Sequence, residues 1–136
     1  MEQRAKPTPI TAAAPARTVI LLVEDDFWTR FSAAETLRVL GYRVIEARDA
    51  AEGISVLTAG TQVDVVFSDI NMPGELDGLG FAAWLAAYHP RVPLLLTSGL
   101  APPSLPPGAA ARSAFIAKPY DLLEVDQRLR SMLVSG

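Results

Sequence analysis

The chain has 136 residues, the length of one ordinary domain, with half of them hydrophobic and 20% charged, so a substantial core is feasible and global disorder is excluded. A net charge of −3 without a cluster of Lys or Arg argues against nucleic-acid or anionic-membrane partners. Cysteine is absent, which excludes disulfides and thiolate metal sites.

Residues 1–17, MEQRAKPTPITAAAPAR, carry basic and small residues but no continuous apolar run. They fit neither a secretory signal nor a membrane anchor, and they are expected to form a flexible tail. The initial Met favours a complete small protein, and the cytoplasm is the expected compartment. From residue 18 onward, short β-branched apolar runs alternate with longer amphipathic stretches, the pattern of βαβ units and a parallel sheet.

The first predicted strand is Val19 to Val23. A helix follows in which Phe27, Phe31, Ala34, Leu37 and Leu40 recur at steps of three or four, stopped by Gly41. A second strand is expected from Tyr42 to Glu46. Asp49 then caps a second helix that Gly60 closes. Val63 to Ser68 reads as the third strand, Leu79 to Tyr88 as the third helix, and Leu94 to Thr97 as the fourth strand.

The next stretch, Leu100 to Arg112, contains Pro102, Pro103, Pro106 and Pro107, which remove backbone donors. Any helix there is expected to be short or irregular. Ala114 to Ala117 forms the fifth strand, and Asp121 caps a last helix with a stripe of Leu122, Val125, Leu129, Met132 and Leu133. Trp28 and Trp84 are expected to pack on or partly cover the helices, with a partner-binding role for Trp28 weighed against that. His89 sits at a helix end, and Tyr120 is open to packing or partner contact. No Gly-rich phosphate loop follows a strand, so nucleotide binding is poorly supported.

Ligands of an open parallel sheet bind outside the carboxyl ends of its strands. Polar residues gather there: Glu24, Asp25 and Asp26 after the first strand, Ser68 and Asp69 at the third, Thr97 and Ser98 at the fourth, Lys118 and Pro119 at the fifth. Carboxylates so clustered repel unless a cation lies between them, and a hard divalent ion with oxygen ligands is the simplest neutraliser. Mg2+ suits such a site because it keeps open positions for phosphate oxygens. Lys118 as a point charge and Ser98 as a hydroxyl donor would complete a site for a transferring phosphoryl group. Individually each residue has a bland reading as a turn, a cap or an exposed side chain; jointly they do not.

The motifs ILLVEDD, SDINMPGELDG, LLLTSG and IAKPY, spread over residues 18–134, resemble the receiver domains of two-component response regulators. The resemblance implies a flavodoxin-like α/β fold with five parallel strands in order 2-1-3-4-5 and helices on both faces, occupying 18–134 as a stand-alone domain. It implies that Asp69 is phosphorylated by a histidine kinase or histidine phosphotransferase. Mg2+, or Mn2+ in its place, would be held by Glu24, Asp25, Asp69 and the backbone carbonyl of Asn71, leaving Asp26 as a solvated helix-start residue. In the same scheme Ser98 and Lys118 bind the phosphoryl group, Pro119 follows a peptide bond that is often cis, and Phe115 is the switch aromatic. The implied protein is a switch rather than an enzyme, a monomer or weak homodimer acting on an unknown downstream protein.

Two features depart from the family: the Pro-rich segment in place of the usual fourth helix, and the insertion-like Gly74, Glu75 and Leu76 before Asp77. The competing readings are an interaction-only pseudo-receiver and a small metal-dependent phosphatase acting on external substrates.

Overall fold

The computed structural model describes residues 18–100, 104–106 and 108–135. The expected N-terminal tail lies outside the described residues, as do Pro102, Pro103 and Pro107. Five parallel strands form one sheet in the order β2-β1-β3-β4-β5: β1 Val19–Val23, β2 Arg43–Ala47, β3 Val65–Asp69, β4 Leu94–Ser98 and β5 Ser113–Ala117. The helices are α1 Phe27–Val39, α2 Ala50–Thr58, α3 Gly78–Tyr88 and α4 Leu122–Ser135. The implied fold class and strand order are therefore present.

Alternation along the strands explains the two-sided core. Leu21, Val23, Val66, Leu94 and Leu96 face α2 and α3, where they meet Leu57, Phe81, Ala82 and Leu85. Ile20, Leu22, Val65, Phe67, Leu95 and Ile116 face the other way, onto Ala33, Ala34 and Leu37 of α1 and Val125 and Leu129 of α4. Each of the larger side chains gains about 1.5–3 kcal/mol on full burial.

Local signals set most of the boundaries. Asp26, Asp49 and Asp77 cap the first three helices, each accepting a hydrogen bond from a backbone N–H three residues on. Asp121 accepts from Leu123 N at the start of α4. Gly41 and Gly60 take positive φ just past α1 and α2, as their stop role requires.

Several expectations shift. β2 begins and ends one residue later than predicted, because Tyr42 is still held by the helix end, its N–H donating to Leu37 O. β3 starts at Val65, since Asp64 turns its carboxylate back onto the N–H of Val19. Phe27 and Phe31 are not part of the buried stripe of α1: the buried residues there are Ala33, Ala34 and Leu37. At about 100° per residue Phe27 and Phe31 lie beside this buried face rather than on it, and Trp28 lies on the side opposite Leu37. Trp28 is accordingly 71% exposed rather than packed, its ring 4.9 Å from Phe27 and 6.2 Å from Phe31. Trp84 does pack, stacked 6.3 Å from Phe81 and lying 5.2 Å from the ring of His89. Between β4 and β5 the described residues contain one 3-10 turn, Ala110–Arg112, in keeping with an irregular segment.

The start of α3 is built against the end of β3. Gly78 N donates to Ile70 O, and a Cβ at Gly78 would sit 2.5 Å from both the carbonyl oxygen of Asp69 and the Cα of Ile70. Only a residue without a side chain permits this approach. Gly78→Ala is expected to lower stability in urea unfolding by about 1–3 kcal/mol, the ordinary cost of overpacking a rigid site.

Candidate phosphoacceptor site

The strand register brings the sequence-predicted residues to one end of the sheet. β1 and β3 are neighbours, with Val23 opposite Ser68, so Glu24 emerges next to Asp69. Asp69 pairs with Thr97 and Ser98 with Ala117, which places Ser98 and Lys118 on the same rim. This is also where the chain order reverses, since β2 lies on one side of β1 and β3 on the other.

Glu24 and Asp69 are 3% and 5% exposed, whereas Asp25 is exposed. One carboxylate oxygen from each of the three lies within 4.8 Å of the others. Hard oxygen donors at that separation fit a divalent cation such as Mg2+. Asp26 is not among them: its Oδ2 accepts from the N–H and the hydroxyl of Thr29 and caps α1. Glu24 and Asp25 thus belong to the oxygen cluster, whereas Asp26 starts the helix.

Lys118 supplies the positive charge. Its Nζ donates to Glu24 Oε1 at 3.2 Å and to Asp69 Oδ2 at 3.0 Å. Burial would lower its pKa, but the hydrogen bond to Asp69 and the charges of Glu24 and Asp69 more than offset this and hold it above the ordinary lysine value. Burial pushes the Glu24 carboxyl up; the Asp26 N–H that donates to it pulls down, the charge of Asp69 raises it again, and Lys118 opposes. The Lys118–Pro119 peptide bond is cis, as the resemblance implies.

The remaining contacts fix orientation. Asn71 N donates to Asp69 Oδ1 at 3.1 Å, so both carboxylate oxygens of Asp69 are engaged. Ser98 is 2% exposed, and its Oγ accepts from Asn71 Nδ2 at 2.9 Å and from Leu100 N at 3.0 Å. Thr97 Oγ1 is buried without a hydrogen-bond partner beside the same cluster. Phe115 stands apart on β5, partly buried against the α2 and α3 side of the core, with Arg128 Nη1 donating to its carbonyl.

Two contributors escaped the sequence reading. Arg30 Nη1 donates to Glu24 O while its Nε bonds Glu46, pinning the acidic loop to the edge strand. The signal was present, a lone basic residue one turn into the helix after an acidic loop, but no spacing rule singles it out. The side chain of Asn71, as opposed to its carbonyl, was the other.

The family model for the response regulator receiver domain matches residues 20–130. YbdJ of Bacillus subtilis, an uncharacterized transcriptional regulatory protein, is 33% identical over 115 residues, covering 84% of this chain and 50% of that protein. The transcriptional regulatory protein PrrA of Mycobacterium leprae is 33% identical over 118 residues, covering 84% of this chain and 49% of its own length. The chain thus spans about half the length of these curated relatives. Among solved structures, the receiver domain of the hybrid histidine kinase CckA is 30% identical with a TM-score of 0.72, over 85% of this chain and 98% of that one. TrrA of Thermotoga maritima, solved in complex with Mg2+-BeF, shares the fold at a TM-score of 0.77 and 23% identity, over 86% of this chain and 100% of that one.

The raised Glu24 pKa carries a testable sign. The folded, metal-free chain binds this proton more tightly than the unfolded chain, so stability rises as pH falls through the raised value and the gain is complete near the ordinary 4.5. Glu24→Gln is expected to raise the melting temperature in EDTA at pH 7, and the gap to wild type should close as pH is lowered towards 4.5. Thermal unfolding at a series of pH values checks both parts.

Proposed function

The chain belongs to the response regulator receiver domain family, and from that premise we propose that Asp69 accepts a phosphoryl group from the phosphohistidine of a histidine kinase or histidine phosphotransferase. The observation that carries this is the meeting of Glu24, Asp25 and Asp69 within 4.8 Å, with Lys118 at 3.0 Å from Asp69 Oδ2. A carboxylate is a weak nucleophile, so the rate must come from alignment and charge neutralisation.

In the proposed reaction an Asp69 carboxylate oxygen attacks phosphorus, the P–N bond of the donor breaks, and the imidazole nitrogen leaves with the electron pair. The product is an acyl phosphate carrying roughly one more negative charge than Asp69 had. Glu24, Asp25, Asp69 and the Asn71 carbonyl would hold Mg2+, which when bound neutralises the charge building on the phosphoryl oxygens. Lys118, already within bonding distance of Asp69, would turn a proton towards a phosphoryl oxygen, and Ser98 would donate its hydroxyl to another.

The donor protein is proposed to dock beside the site. A groove of about 640 Å3 lies there, lined by Trp28, Thr29, Ser32, Ala33, Lys118, Pro119, Tyr120 and Leu122. Trp28 in its lining is exposed, and the Tyr120 ring lies 5.4 Å from that of Phe67. The scattered basic residues support protein partners over nucleic acid for this region. No helix among the described residues is long and apolar enough to cross a membrane. In the proposed switch, Ser98 shifts towards the acyl phosphate and Phe115 follows, altering a surface that a downstream protein reads.

Incubation with Mg2+ and acetyl phosphate, followed by intact-mass analysis, is expected to show one added phosphoryl group. Asp69→Ala and EDTA should each abolish it; a gain that survives Asp69→Ala would place the acceptor elsewhere. Leu100 follows Ser98 by two positions and is 70% exposed, an apolar cover at the rim where water must approach. Leu100→Asn should shorten the lifetime of the acyl phosphate severalfold, and an unchanged decay would remove Leu100 from the account.

A further inference from the structure

The Asn71 side chain has no task in the scheme above, which uses only its backbone. Its Nδ2 nevertheless donates to Ser98 Oγ at 2.9 Å, bridging the loop after β3 to the end of β4. The same oxygen accepts from Leu100 N at 3.0 Å, while the Ser98 carbonyl accepts from Lys118 N at 2.9 Å. Ser98 Oγ makes no hydrogen bond to Asp69 in this arrangement, although both residues sit on one rim. A buried hydroxyl oxygen with two donors directed at it is held by them, and moving it means giving both up. Turning the amide over would not change this, because its oxygen would then take the Ser98 proton.

We infer that the Asn71 carboxamide is a latch that holds the Ser98 hydroxyl in the resting position and sets part of the cost of switching. The inference rests on Asp69 being the phosphoacceptor, and it makes Asn71 a positioning residue that acts through Ser98. Releasing one ordinary hydrogen bond in the resting state shifts a two-state equilibrium by about two- to tenfold towards the engaged state. Asn71→Ala keeps the backbone carbonyl, so a metal ligand there is not removed.

Two measurements decide it. In calorimetric titration with beryllofluoride in the presence of Mg2+, Asn71→Ala should bind about two- to tenfold more tightly than wild type. The gain should persist with Ser98→Thr, which keeps the hydroxyl, and vanish in a Ser98→Ala background. Equal or weaker binding, or the same gain without the hydroxyl, would overturn the latch. In the metal-free protein, amide exchange at Leu100 should speed up in Asn71→Ala, since the freed hydroxyl no longer stays on that N–H; unchanged exchange would also overturn it. A wild type that takes no beryllofluoride would count against Asp69 as acceptor, and the exchange measurement would still decide the latch.

Discussion

Everything at the carboxyl end of the sheet depends on one ammonium group shared by two buried carboxylates. Withdrawing Glu24 and Asp69 from water costs several kcal/mol for each ion unless a partner and hydrogen bonds replace the lost hydration. Lys118 is that partner for both, and the backbone N–H groups of Asp26 and Asn71 take further lone pairs. The compensation is incomplete, since the Glu24 carboxyl is still pushed towards its neutral form. A site balanced in this way is stable enough to fold yet retains affinity for more positive charge, which is the electrostatic condition for holding a cation and then a phosphoryl group.

The sheet holds the backbone of this arrangement rigidly and leaves two of its side chains held only by hydrogen bonds at their tips. Glu24, Asp69 and Ser98 stand at the ends of three adjacent strands whose interiors are buried on both faces. Gly78 lets the next helix begin in contact with the Asp69 backbone, which braces the end of β3. Arg30 ties the Glu24 carbonyl to Glu46, and Glu46 is itself bonded to Arg38 further along α1. By contrast Lys118 and Ser98 are held at their tips by hydrogen bonds that side-chain rotation alone would exchange.

Much of this was legible in the sequence because it rests on local rules. Capping aspartates, stop glycines and the polar residues that close each apolar run fixed the element order and collected the site at one rim. The split of Glu24 and Asp25 from Asp26 came from the family resemblance rather than from a local rule, and the cap that Asp26 forms on Thr29 was not part of that reading. What was not legible depends on packing in three dimensions. Phe27, Phe31 and Ala34 recur at helical spacing, yet the face that meets the sheet is the overlapping stripe through Arg30, Ala33, Ala34 and Leu37, and spacing alone does not choose between the two. The Asn71 side chain was missed for a related reason: its partner is 27 residues away, and only the pairing of β3 with β4 brings them together.

The segment after β4 gives the site its individual character. In place of a regular helix, its described part offers an irregular run and one 3-10 turn, with Leu105 and Ala109 packed on the α2 and α3 side of the core. An N–H within a helix keeps its partner when a neighbouring loop shifts, but that of Leu100 has the Ser98 hydroxyl as its acceptor. Displacement of Ser98 therefore removes an acceptor from the first residue of the segment itself. In the proposed switch a change at Asp69 would therefore be felt first at the Leu100 N–H.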